Sequence, residues 1–154
     1  MKTKDYAEII GIGAVVASLL MLTYELRQNT VASQQAAAAT YSEAWRDIEL
    51  FGAGNPEFTN TLLKAINGER DQLTSTENFQ LDFFYRAVFR SWQNSYLQYR
   101  AGSLPEEIWN AELRFMSELV PMETGMQSYW QFERRLYSDA FIELFDSFVP
   151  DDEQ

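Results

Sequence analysis

IIGIGAVVASLLMLTY, Ile9–Tyr24, is a run of sixteen residues without a charge near the start of the chain. Coiled as a helix it rises about 1.5 Å per residue, which sets Tyr6 and Tyr24 roughly 27 Å apart along the axis. That approaches the ~30 Å hydrocarbon thickness of a bilayer, with a tyrosine near each edge, where amphipathic rings settle. The run predicts a membrane anchor helix over residues 1–27. Two other readings compete. A core helix of a soluble protein is one, because the run is shorter than the ~18 apolar residues of an unambiguous span. A cleaved signal peptide is the other, with Lys2 and Lys4 as its positive flank. Against it, the first A-x-A option, Ala36 and Ala38, lies far downstream of the apolar run.

Within the anchor, Gly13, Ala14, Ala17 and Ser18 make two overlapping small-xxx-small pairs on one face. Small side chains let a second helix approach closely in lipid, so this face is the expected helix-association surface. Two lysines precede the run, and Arg27 is the only basic residue between it and Arg46. The positive-inside rule then favours an inside N-terminus and an exported domain.

The rest of the chain sets the fold class. No Pro or Gly interrupts Arg27–Phe51, and Gln34–Ala39 (QQAAAA) is a strong helix former. The anchor helix is therefore expected to continue as a stalk to Gly52, with Ala38, Tyr41, Trp45 and Ile48 as an apolar stripe. Asn55-Pro56-Glu57 combines an N-cap, a proline at the first helical position and an acid against the helix dipole, opening a helix to Ile66. Thr74 and Glu77 fit a capping box that opens the longest domain helix, Glu77–Ala101. Its expected core stripe is Leu81, Phe84, Val88, Trp92, Tyr96 and Tyr99, flanked by Phe79, Phe83 and Ala87. Ser103 and Glu106 offer a second capping box, before a helix to Val120 carrying Trp109, Leu113 and Met116. Helices over Thr124–Arg135 and Ser138–Val149 follow, the first with Phe132 among its apolar residues. The expected architecture is all-α: the membrane helix and stalk, then a bundle of about five helices over 28–150, with 151–154 as a frayed tail.

Composition narrows the chemistry. The formal charge of −11 falls entirely after residue 27, because three bases and three acids balance before it. Such a domain is repelled by nucleic-acid phosphates, so no nucleic-acid partner is expected. The chain has neither Cys nor His. That removes thiol chemistry, thiolate metal sites, histidine general bases and the Glu-x-x-His di-iron pattern. No phosphate-binding glycine loop or nucleophile elbow is present. No cofactor, metal or catalytic residue is expected, and the chain reads as a non-enzyme.

Leu26-Arg27-Gln28-Asn29-Thr30 at the end of the anchor, followed by Phe89-Arg90-x-Trp92-x-Asn94-x-Tyr96-x-Gln98-Tyr99-x-x-Gly102, resembles a family of small bacterial membrane proteins. They carry an N-terminal membrane helix and a helical domain. The resemblance covers most of the chain and implies a single-pass protein of the bacterial inner membrane. It carries over no catalytic residue.

Several polar groupings compete with plain structural roles. Asp82, Arg86, Arg90 and Asn94 follow one another at four-residue spacing. They read either as an anion-holding patch or as an Asp82–Arg86 ion pair with Arg90 tying down a neighbouring helix. With Trp92, Tyr96 and Tyr99, the residues Arg86, Arg90 and Asn94 make the speculative ligand site. Asp139, Glu143 and Asp146 form an acidic line best read as a solvated face. The leading expectation is a membrane-anchored, non-enzymatic interaction or assembly module. Its partners would be the bilayer and either a second copy or another membrane protein. The alternative is a ligand-binding or sensing domain whose aromatic and arginine-lined pocket takes an anionic or lipid-like molecule. Under either reading the domain is expected on the periplasmic side.

Overall fold

Helix dominates the described residues, as the sparse Pro and Gly allow. A computed structural model describes residues 3–150, and among these the side chains of residue 8 and of residues 10 onward. The expected tail at 151–154, Lys2 and the side chains of Lys4 and Tyr6 lie outside the described residues. Six α-helices and no strand occur among the described residues: α1 Thr3–Gly54, α2 Pro56–Ile66, α3 Ser75–Arg100, α4 Glu106–Leu119, α5 Thr124–Glu133 and α6 Asp139–Asp146. Short 3-10 turns at Arg70–Gln72, Val120–Met122 and Arg134–Leu136 link them. The fold is all-α. Contacts divide the chain into two units, Met1–Ala36 and Ala37–Gln154, and the boundary falls inside α1.

In the first unit α1 holds helical geometry through the uncharged run. Its large apolar side chains are exposed, from Ile10 through Leu19 and Leu20 to Leu26. A core helix would bury them. Ser18 Oγ donates to the Ala14 carbonyl at 2.8 Å and Thr23 Oγ1 to the Leu19 carbonyl at 2.8 Å, so these hydroxyls are satisfied within the helix.

The second unit is built around α3. Its start is the expected capping box: Glu77 N donates to Thr74 Oγ1 at 3.2 Å, and Thr74 N donates to Glu77 Oε2 at 2.8 Å. Its end is set by Gly102 at φ +74°, where Ser103 N and Leu104 N donate back to the Gln98 carbonyl. That closure corrects the second capping box. Ser103 is engaged in ending α3, and Pro105 stands at the α4 N-cap without a side-chain cap bond. Asn55 caps α2 as expected, accepting from Phe58 N at 3.1 Å.

The buried face of α3 also differs from the expected stripe. Leu81, Val88 and Trp92 are buried, and so are Tyr85 and Phe89, whereas Phe79 and Phe83 are exposed. The flanking residues therefore lie on the other side of the central stripe. The reason is which neighbours exist. Phe89 stacks on Trp130 of α5 at 5.4 Å and meets Phe145 of α6 at 4.7 Å, while Phe79 and Phe83 pair with each other at 4.7 Å. Phe132 is likewise exposed rather than in the core. The last helix is shorter than expected, because a turn follows Asp146. In the part of α1 that belongs to this unit, Tyr41, Trp45 and Ile48 pack against the core as the sequence indicates.

Candidate functional site

Two carboxylates are buried in the second unit, and neither was singled out from the sequence. Glu112 is 3% exposed and Glu123 is 2% exposed. Glu112 lies on α4 between Trp109 and Met116, so helical spacing turns it inward with them. The Tyr41 hydroxyl donates to Glu112 Oε2. The indole N–H groups of Trp92 and Trp45 stand close enough to favour the charged carboxylate. Neither closes a hydrogen bond of normal geometry, so Trp45 Nε1, Trp92 Nε1 and Glu112 Oε1 remain buried without a partner. Burial outweighs these donors and pushes the Glu112 carboxyl above its ordinary range. The Tyr41 hydroxyl is pushed up as well, by its burial and by the neighbouring Glu112.

Glu123 is differently placed. It caps α5 by accepting from Met126 N, and it accepts from the Tyr85 hydroxyl at 2.9 Å. Burial raises its pKa while these donors pull the other way. The next turn has no room for a side chain: a Cβ on Gly125 would stand 2.5 Å from Tyr85 Oη and 2.8 Å from Glu123 Oε1.

Both carboxylates line one open cleft of about 710 Å³. Its apolar walls include Trp45, Leu62, Phe84, Phe115 and Leu119, and Glu49 is its third acid. No Lys or Arg lines it. The size and the small number of polar groups on an apolar wall match those of a small-molecule site. No group of three acids among the described residues is arranged to hold a metal ion.

The six residues of the speculative site do not line this cleft. Trp92 is wholly buried, while Arg90 and Asn94 are exposed. Tyr96 and Tyr99 pack on Trp109, with ring centroids 5.5 and 5.2 Å away. Arg86 lies 3.8 Å from Glu133, and Asp82 lies 2.5 Å from Arg70. The expected Asp82–Arg86 pair is thereby replaced by two pairs with other elements. Arg70 wins Asp82 because it also bonds Asn78 Oδ1 at 3.1 Å and the Gly125 carbonyl at 3.3 Å. On the acidic line, Asp139 and Glu143 are exposed, but Asp146 accepts from Trp130 Nε1 at 2.8 Å and pairs with Arg134 at 2.5 Å.

Gly13, Ala14, Ala17 and Ser18 are all exposed, and a Cβ at Gly13 would meet nothing within 4 Å. α1 is the one helix among the described residues long and apolar enough to cross a membrane.

No family model, curated protein or solved structure matches this chain.

Proposed function

We propose that this protein is a membrane-anchored, non-enzymatic ligand-binding protein whose helical domain takes a small apolar molecule into the cleft beside Glu112. The observation that carries the reading is the cleft itself. It is a large apolar concavity with one buried, incompletely bonded carboxylate on its wall, where buried polar atoms are ordinarily paired. The anchor reading draws on the exposed apolar side chains of α1 and the absence of charge over 9–24. The sequence resemblance favours the bacterial inner membrane, and the lysines before the run favour a periplasmic domain.

Native mass spectrometry of the full chain released from its own membrane tests the ligand reading. The expected result is a retained small molecule that Ala111→Trp, which fills the cleft from its wall, displaces. A chain that carries nothing, or that carries the same mass in both forms, overturns it.

A second reading, association through Gly13, Ala14, Ala17 and Ser18, has its own support. The face is exposed and small, and its one hydroxyl is satisfied within the helix. Either a second copy or a membrane-protein partner fits it. Gly13→Leu or Ala17→Leu is expected to reduce particle mass in mild detergent with helicity unchanged. An unchanged mass removes the role.

A further inference from the structure

We infer that the ligand of the cleft is an amphiphilic primary amine, its apolar body against the aromatic and aliphatic walls and its ammonium group against Glu112. The inference rests on the cleft being a ligand site and adds the chemical class.

Three observations converge. The first is the unfinished bonding of Glu112. A carboxylate is an acceptor with room for several donors. Here Oε2 is served by the Tyr41 hydroxyl, and Oε1 has no hydrogen-bonded partner. Glu112 is 3% exposed and lines the cleft. The unpaired indole N–H groups of Trp45 and Trp92 stand beside this carboxylate, and a ligand donor would join them from the cleft side. Glu123 makes the contrast, since a hydroxyl and a backbone N–H already fill its role as a cap.

The second observation is sign. The ionisable side chains on the wall are carboxylates and tyrosines, namely Glu49, Glu112, Glu123, Tyr41 and Tyr85, with no base to offset them. An anionic headgroup would enter a field of its own sign, in a place where low dielectric strengthens the repulsion. This argues against the anionic ligand expected from the sequence. An ammonium group reverses the sign, supplies up to three donors, and adds a countercharge to a carboxylate whose other neighbours, the Tyr41 hydroxyl and the Trp45 and Trp92 indoles, are neutral.

The third is the company Glu112 keeps. Trp45 and Phe115 line the same cleft, with ring centroids 6.0 Å apart and planes at 88°. Aromatic rings beside a carboxylate favour a cation that also carries apolar carbon, through ring-face attraction and burial of the chain. A hydrated inorganic cation gains from neither.

The test uses the full chain in phosphatidylcholine nanodiscs at pH 7 and three probes with one tail: octylamine, 1-octanol and octanoate. Thermal stabilisation of the helical domain is the readout, because ligand binding to the native state raises its melting temperature. The expected order is octylamine at least tenfold tighter than octanol, with octanoate producing no shift. Glu112→Gln should erase the advantage of the amine and leave the octanol response in place. Glu49→Gln, at an exposed rim acid, should change amine affinity less than threefold. Ala111→Trp should abolish every response, which separates the cleft from partition into the nanodisc lipid. Equal binding of amine and alcohol to the unaltered chain overturns the amine assignment and leaves the cleft a ligand site. Equal loss in Glu49→Gln and Glu112→Gln also overturns it, reducing the effect to net charge. No response to any probe, or responses that survive Ala111→Trp, overturns the cleft reading beneath it. The rank order on the unaltered chain decides the matter even where Glu112→Gln lowers the folded yield.

Discussion

At the scale of single residues, Glu112 and Gly125 show how much is set by what lies beyond the sequence neighbourhood. Burial raises the folded-state pKa of Glu112 above the ordinary carboxyl value of about 4.5. Between those two values the folded chain binds more protons than the unfolded one. The stabilisation is therefore full below the unfolded value and is lost as pH rises through the folded one. Glu112→Gln cannot titrate. Its melting temperature relative to the unaltered protein is expected to climb from pH 4.5 to pH 7, and a constant difference across a pH series of melting curves would refute the assignment. Glu123 retains its own titration in both proteins, since burial raises it independently. Gly125 is constrained by space rather than by backbone freedom. Adding a methyl group drives it into Tyr85 Oη and Glu123 Oε1, two atoms held by their own hydrogen bond. Gly125→Ala is expected to cost about 1–3 kcal/mol in a denaturant titration, the usual penalty of overpacking.

At the scale of helices, α3 separates what periodicity can say from what it cannot. Thr74, Glu77, Asn55 and Pro56 announced the helix starts correctly, because caps are local chemistry between residues three apart. The apolar spacing also located Leu81, Val88 and Trp92 on the buried face. It put Phe79, Phe83 and Ala87 on the flank, whereas Tyr85 and Phe89 are the buried pair, a choice that depends on where α5 and α6 pack. The same limit hid the cleft. Glu112 reads locally as one more acid among the 23 Asp and Glu residues, and only the approach of Tyr41, Trp45 and Trp92 sets it apart. A trace of it was present, since Glu112 falls three residues after Trp109 and four before Met116, at helical spacing for the inward face. The side-chain truncations Phe89→Ala and Phe83→Ala separate the two flanks. The first removes a ring fully buried between Trp92, Trp130 and Phe145, and about 3–5 kcal/mol of stability should go with it. The second removes an exposed ring under the Arg86 guanidinium, and its cost should stay below about 1 kcal/mol. Equal losses would mean that α3 presents a different face to the core.

At the scale of the whole molecule, the two units have opposite surfaces, and their chemistry argues for separate environments. Residues 10–26 leave large aliphatic side chains exposed along a helix, far beyond the scattered apolar surface that water tolerates. The second unit encloses an aromatic core while leaving Phe51, Phe79, Phe83, Phe115 and Phe132 exposed, and the chain after residue 27 carries the formal charge of −11. Lipid would resolve the first surface and water the second. If the run over 9–24 lies in a bilayer, its backbone is satisfied by its own helix and its side chains need no protein partner, which accords with the in-helix bonds of Ser18 and Thr23. Lysine at the middle of such a span is opposed by about 2.5–3.5 kcal/mol per residue on insertion scales. The double substitution Val16→Lys with Leu20→Lys is therefore expected to move the protein from the alkali-resistant membrane pellet to the supernatant. Glu43→Lys with Asp47→Lys, two exposed positions in the second unit, should leave it in the pellet. If both doubly substituted chains stayed in the pellet, attachment would have to come from another surface, and the anchor reading would fall. If both left it, the association would be electrostatic and owe nothing to the apolar run. The split result is the one that a membrane-spanning α1 requires.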